Sequence, residues 1–333
     1  MTSVSAHLNT SRMIHPATRA VSAPTASAVD AALAVVTNTL VASPLMPSPR
    51  LAPDAFLKLE SLQPTGSFKV RGALAAVAMA ERNRGIVTAS AGNHGLAVAW
   101  AAERLDRQAT VVIPRTASSA KAKALERSGC KLEHVGENYE EAEEHALTLA
   151  AEGHSYISAY NDPNVIAGQS TIGAELAHID GPITVYVPVG GGGLVAGVCL
   201  WAQDRSDVRV VGVESAASRG LSAAIEAGRV VNVPVGRTLA DGLAGNLEAG
   251  SVTVEIASRR VDEMVAVTEE EIEEAIRFLA AEHGLVAEGS GAVGVAALMN
   301  RRANSVGSPL ALVTGRNIAL STLAGVLGDA SAQ

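Results

Sequence analysis

The sequence predicts an α/β fold, a largely parallel sheet wrapped by helices on both faces. Three observations predict it. Short runs rich in Val, Ile and Ala alternate with longer segments of helical periodicity between about residues 56 and 313. Four polar, mostly glycine-bearing loops, at 63–69, 90–95, 190–193 and 314–317, each follow the carboxyl end of an expected strand. Open α/β sheets bind ligands at that end. Hydrophobic residues make up 48% of the 333-residue chain and charged residues 18%, which suits a soluble globular protein with a large core.

The elements follow in order. Ala28–Thr39 is an Ala/Val-rich helix that ends before Ser43-Pro44-Leu45. Phe56–Leu59 is a short strand, Gln63-Pro64-Thr65-Gly66 a turn, and a helix opens around Ser67 and runs to about Arg82. Next come the strand Ile86–Ser90, the helix Leu96–Leu105, the strand Ala109–Ile113 and the helix Ser119–Ser128. A weak strand, Lys131–Val135, precedes the acidic helix Tyr139–Ala151, whose Glu140, Glu141, Glu143 and Glu144 read as a solvated face. A second run begins near Asn161, with helix Val165–His178, strand Thr184–Val189, helix Leu194–Ala202 and strand Val208–Val213. Thr268 and Glu271 have capping-box spacing at the head of a helix that Gly284 stops. Glu288-Gly289-Ser290-Gly291 opens another helix, and strand Leu310–Val313 runs into Thr314-Gly315-Arg316-Asn317.

Composition narrows the function. A net charge of −8 without a polybasic run argues against a nucleic-acid or anionic-membrane partner, and no apolar run reaches membrane-spanning length. Aromatic residues are 3% of the chain, so Ala, Val and Leu must build the core. Two cysteines, Cys130 and Cys199, without CxxC spacing, suit a reducing, cytoplasmic compartment and burial as small hydrophobes. Residues 1–27 carry Arg12 and Arg19 and no acid, lack the apolar region of a secretory signal, and read as a flexible extension.

One stretch carries the chemistry, Leu57–Leu74, LKLESLQPTGSFKVRGAL. Lys69 falls on the first turn of a helix, where the dipole disfavours a cation. That field and partial burial both lower an ammonium's pKa, and a nucleophilic or Schiff-base lysine must be neutral. A solvated lysine at an ordinary helix start is the plain alternative. Gly190-Gly191-Gly192-Gly193 lies between a strand and a helix, where backbone N–H groups and the helix dipole can cradle a phosphate. The same loop fits a rival. Gly191-x-Gly193-x-x-Ala196, with Glu214 closing the next strand, satisfies a dinucleotide fingerprint and allows an NAD-dependent oxidoreductase. That rival leaves Lys69 and the loop at 90–95 without a role. In that loop the plainest readings are a helix N-cap for Asn93 and a packed surface histidine for His94.

Pro64-Thr65-Gly66-Ser67-Phe68-Lys69 with Arg71-Gly72-Ala73 resembles the cofactor-lysine motif of pyridoxal-phosphate (PLP) enzymes of the tryptophan-synthase-β fold type. Within it, the chain resembles the threonine/serine dehydratase and serine racemase family, over roughly residues 28–320. Arg237-Thr238-Leu239-Ala240-Asp241-Gly242-Leu243 and Glu288-Gly289-Ser290-Gly291-Ala292 are similar to two further motifs of that family. The resemblance implies PLP fold type II, with two open, mostly parallel twisted sheets. It puts a large PLP-binding domain at 28–84 and 161–333 and a small domain at 85–160. It implies a homodimer.

The resemblance also implies roles. Phe68, Lys69, Asn93, Gly190, Gly191, Gly192, Gly193, Glu288 and Thr314 would meet the cofactor, with Lys69 catalytic. Ser90, Ala91, Gly92, Asn93 and His94 would form the substrate loop. Thr314 would set a neutral hydroxyl beside the pyridine nitrogen, a weaker electron sink than a carboxylate partner allows. Arg316 departs from the Gly-Gly-Asn or Gly-Ala-Asn pattern. Ala91 stands where serine racemases carry a proton-donating serine, which favours elimination over racemisation. Glu214 matches a cation-binding glutamate of some members, but Gly220 stands where an aspartate ligand is expected, so no metal is assigned. With a chain that ends soon after the last strand, a catabolic type is expected, acting on L-threonine or L-serine, with serine racemase or 3-hydroxyaspartate dehydratase activity as the alternative on the same scaffold.

Overall fold

The computed structural model describes residues 19–328. Helix α1 (Ala26–Thr39) leads into a hairpin of β1 (Leu45–Pro47) and β2 (Phe56–Lys58), followed by α2 (Lys69–Met79). One alternating run then comprises β3 (Ile86–Ala89), α3 (Asn93–Arg104), β4 (Ala109–Ile113), α4 (Ser119–Glu126), β5 (Lys131–His134), α5 (Tyr139–Ala151) and β6 (Ser155–Tyr156). The chain returns through α6 (Pro163–Ala174), β7 (Ile183–Pro188), α7 (Gly193–Trp201), β8 (Val208–Ser215), α8 (Gly220–Ala227) and α9 (Val252–Arg260). It closes with β9 (Glu263–Val267), α10 (Glu269–His283), α11 (Gly289–Met299), β10 (Ser308–Leu312) and α12 (Leu320–Gly328).

These strands make two sheets. The larger has the order β1-β2-β10-β7-β8-β9 and is parallel except where β1 pairs with β2. The smaller, β5-β4-β3-β6, is parallel throughout, and all its strands lie within 86–156. The fold is thus the α/β architecture the alternation predicts. Pairing shows why β7 reads as one continuous apolar run: it lies between β10 and β8, covered on both faces, and all six of its residues are buried. Its side chains still alternate. Tyr186 joins the apolar cluster under α10 and α11, whereas Val185 and Val187 join the one under α6 and α7.

Small residues let the helices beneath the site approach backbone to backbone. A Cβ on Gly168 of α6 would lie 2.6 Å from the Arg71 carbonyl oxygen of α2, and one on Gly197 of α7 would lie 2.8 Å from that of Ile166. A chain poor in aromatics makes its core by this close approach rather than by large rings.

Several expectations change. The stretch between Ser215 and Thr268 holds α8, α9 and β9, none of which the periodicity disclosed. The helix expected over Val165–His178 starts at Pro163, capped by Asp162, and ends at Ala174. The acidic α5 is not simply solvated, because Glu143 accepts hydrogen bonds from Tyr139 (3.0 Å) and Tyr156 (2.6 Å). Of the expected extension at 1–27, residues 1–18 lie outside the described residues. The remainder is tied down: Arg19 forms an ion pair with Glu248, and α1 begins at Ala26. The capping box of Thr268 and Glu271 is present, and Gly284 closes α10 at positive φ.

Candidate active site

Lys69 is the first residue of α2, behind Phe68. Its Nζ donates to the Ala159 carbonyl at 2.8 Å and lies 5.1 Å from the centroid of the Phe68 ring. Burial lowers its pKa to about 8, against the opposing pull of Glu288. The turn before it is zipped to the loop after β10. Phe68 N–H donates to Thr314 O (3.0 Å), Arg316 N–H donates to Gly66 O (3.0 Å), and Ser67 bridges Gly315. Beneath α2, Arg71 is fully buried. Its guanidinium holds Glu60 through Nε (2.7 Å) and a terminal nitrogen (2.8 Å), and Glu175 at 2.6 Å, while Lys58 takes Glu175 from the other side at 2.6 Å. Two cations face two carboxylates, so the frame under Lys69 is neutral and directional.

Glu288, the residue before α11, joins loops of both sheets. Its Oε1 accepts from Asn93 Nδ2 at 2.7 Å and its Oε2 from Asn317 N–H at 3.0 Å. Asn317 Nδ2 donates to Asn93 Oδ1 (2.6 Å) and to Thr65 O (2.9 Å). Asn93 is the first residue of α3, and Gly92 takes the cap position. The N-cap reading of Asn93 is therefore replaced: its amide reaches across to the other sheet. Burial raises the Glu288 pKa to about 7.

The glycine loop is held from outside. Gly192 has φ +87°, a conformation glycine adopts without strain, and takes the cap position at the head of α7. A Cβ on Gly191 would collide with the ring of Tyr160, and one on Gly193 would lie 2.8 Å from the Tyr160 Cα. Tyr160 thus roofs the loop, with its hydroxyl accepting from Glu248 N–H at 2.7 Å. Among the described residues, the N–H groups of Gly190, Gly191, Gly192 and Gly193 donate to no protein group. Four consecutive free donors at a helix N-terminus fit an anion such as a phosphate.

The remaining expected residues fall around this cleft. Ser90, Ala91 and Gly92 are half-buried at the end of β3, and Ser90 Oγ accepts from Gly92 N–H at 3.2 Å. Thr314 is buried and its hydroxyl donates to Ser290 O at 3.3 Å. Phe68 is half-buried beside Lys69. His94 departs from expectation. It is buried rather than superficial, its Nε2 pairs with Ile157 O (3.2 Å), its Nδ1 has no partner, and burial holds its pKa down at about 3. Arg316 is exposed. Glu214 is buried. Its Oε1 accepts from Leu221 N–H (2.9 Å) and Ser222 N–H (3.3 Å) at the first turn of α8. Among the described residues no set of three His, Cys, Asp or Glu side chains gathers as metal ligands.

Sequence reasoning passed over Tyr160, Ala159 and the side chain of Asn317. Only the asparagine had a signal, its place in the loop after the last strand.

The fold and site define a class: an α/β protein whose cleft joins a low-pKa lysine to an anion cradle. Residues 36–315 match the family described as pyridoxal-phosphate dependent enzyme, and the chain belongs to that family. PLP, not NAD, is accordingly its cofactor. The chain is 44% identical to an L-threonine ammonia-lyase of Thermotoga maritima over 74% of this chain and 63% of that protein. The match therefore spans a little under two thirds of that relative. The fold is similar to that of the processed threonine deaminase isoform 2 of Solanum lycopersicum (TM-score 0.83, 31% identity, covering 93% of this chain and 96% of that one). It is equally similar to maize serine racemase (TM-score 0.83, 28% identity, 93% and 98%).

Proposed function

We propose that this chain is a PLP-dependent ammonia-lyase that eliminates water from an L-β-hydroxy amino acid, L-threonine or L-serine, giving a 2-oxo acid and ammonia. The observation that carries it is Lys69. It is a half-buried amine whose pKa is lowered to about 8, in a cleft bordered by four free glycine amides and the Asn93–Glu288 pair.

The residues fit the cofactor. Gly190–Gly193 would hold its phosphate, Asn93 would face its ring oxygen, and Thr314 and Glu288 would border the ring. The Lys69 amine would hold PLP covalently until the substrate amine displaces it, and PLP would then supply an electron sink that acidifies the hydrogen on the substrate α-carbon. Once free, the Lys69 amine is the base for that hydrogen, with Ala159 O orienting its Nζ. At a pKa of about 8 roughly a tenth of such amines are neutral at pH 7. Ser90 and the amides opening α3 suit the substrate carboxylate. Ala91 presents only a methyl group and has no proton to deliver to the opposite face of the α-carbon, which supports elimination over racemisation.

The two sheets are read as two domains, with 85–160 the smaller. A cytoplasmic homodimer is proposed with it: the exposed Val41 (87%) and, nearby, Leu62 (44%) offer apolar surface to a second copy. Among the described residues no helix is long and apolar enough to cross a membrane.

The test is release of 2-oxo acid and ammonia from a panel of L-β-hydroxy amino acids, recorded with the visible spectrum of the purified protein. Turnover of threonine or serine with bound PLP supports the proposal. Bound PLP without product from any member of the panel, or D-serine without ammonia, rejects it.

A further inference from the structure

Arg19 connects groups that belong to different sheets. Its Nε and a terminal nitrogen each lie 2.7 Å from one oxygen of Glu248, and that terminal nitrogen also donates to Asn161 O at 3.0 Å. Its guanidinium lies 4.9 Å from the ring centroid of Tyr156 on β6. Both members of the ion pair are about four-fifths covered, at 22% and 21% side-chain exposure. Glu248 is also the group that holds the crossover between the sheets. It accepts from Asn161 Nδ2 (2.9 Å), and its own N–H donates to the Tyr160 hydroxyl. Asn161 Oδ1 in turn accepts from Val252 N–H at the head of α9 (3.1 Å). The crossover so fixed carries two parts of the site, the Ala159 carbonyl on Lys69 Nζ and the Tyr160 ring over Gly191.

We infer that Arg19 is a positioning residue. Acting through Glu248 and residues 157–161, it seats Tyr160 on the glycine loop and so sets how tightly that loop grips an anionic cofactor. The inference rests on the PLP reading of the loop. A forked guanidinium can meet both carboxylate oxygens and a carbonyl together, which an ammonium cannot do in one geometry.

The experiment is a titration of the cofactor-free chain with PLP, followed by absorbance. It compares wild type, Arg19→Ala, Arg19→Lys and, as a control for losing an exposed arginine, Arg50→Ala. Arg19→Ala should bind PLP about tenfold more weakly, Arg19→Lys should fall between it and wild type, and Arg50→Ala should match wild type. Equal affinity in wild type and Arg19→Ala overturns the inference. So does a lower Tm of the cofactor-free Arg19→Ala chain with unchanged affinity. If Arg19→Ala does not fold, Arg19→Lys decides by the same comparison. If wild type takes up no PLP, the functional reading fails on its own. The clamp is then decided by amide hydrogen exchange at Asn161, Glu248 and Val252, whose N–H groups are bonded within it, which Arg19→Ala should accelerate and which, if unchanged, overturns it.

Discussion

The glycine loop at 190–193 and the crossover at 157–161 pack directly against each other, yet they are specified in opposite ways. The loop is specified by what is missing. Without side chains it can turn at Gly192, admit the Tyr160 ring at Gly191 and leave four amides free. The crossover is specified by what reaches it from afar. His94 and Thr88 hold Ile157 O, Arg19 holds Asn161 O, and Glu248 holds the Tyr160 hydroxyl through its N–H. A local rule builds the loop, and long-range side chains build the crossover. The loop should therefore tolerate almost no substitution, and the crossover should weaken by degrees.

Removing the amine that the crossover holds through Ala159 O has the largest expected effect. Lys69→Ala should lower 2-oxo acid release by roughly 10³-fold or more, on the scale of a lost general base together with the covalent anchor, and steady-state assay checks it. Near-normal turnover would mean that the cleft does not work through this lysine. Next comes Gly191→Ala, whose methyl group must displace the Tyr160 ring at its root. Overpacking of this kind costs about 1–3 kcal/mol, so PLP affinity should fall on the order of ten- to a hundredfold. Unchanged affinity in a titration would show that the loop and its roof are not in register.

Glu288→Gln separates charge from contact at the seam. Glu288 titrates at about 7 in the folded chain, against 4.5 as its ordinary value. Between those values the folded chain keeps a proton that the unfolded chain has released. Stability of the cofactor-free protein therefore falls as pH rises from 4.5 to about 7, and stays lowered above that. Lys69 acts in the opposite sense in another window: with its pKa lowered from 10.5 to about 8, stability rises as pH climbs between the two. Glu288→Gln should flatten the first change and leave the second. It also gives up one of the two acceptors facing Asn93 and Asn317. Tm against pH for both proteins checks this, and an equal slope below about pH 7 in the variant would count against a buried Glu288 charge.

The smallest effect is expected from Tyr160→Phe. The ring over Gly191 remains and only the acceptor for Glu248 N–H is lost, which should lower stability by about 1 kcal/mol and PLP affinity by no more than about fivefold. A loss as large as that of Gly191→Ala would mean that the hydroxyl, rather than the ring, holds the loop.

Much of this molecule was open to reading before any coordinates. Strand and helix alternation follows from backbone periodicity, so a largely parallel sheet was legible, its division into two coming only with the family resemblance, and α5 falls at the predicted residues, Tyr139–Ala151. Lys69 and Gly190–Gly193 were legible because short motifs carry their own geometry. Residues 216–262 were not, since their helices are brief and take their place only by packing, α9 against α7 and α8 against α9. Glu143 looked like one more solvated acid, yet two tyrosine hydroxyls turn toward it.

By itself, then, the sequence determined the elements, the lysine at the head of α2 and the side-chain-free loop, because each is written in neighbouring residues. Only the tertiary structure decided their partners. Asn93 meets Glu288 across 195 residues and Asn317 across 224, and Arg19 meets Glu248 across 229. No periodicity encodes a contact at such separation. It arises when the packed sheets bring two polar side chains together in a cleft where neither can stay unpaired without loss.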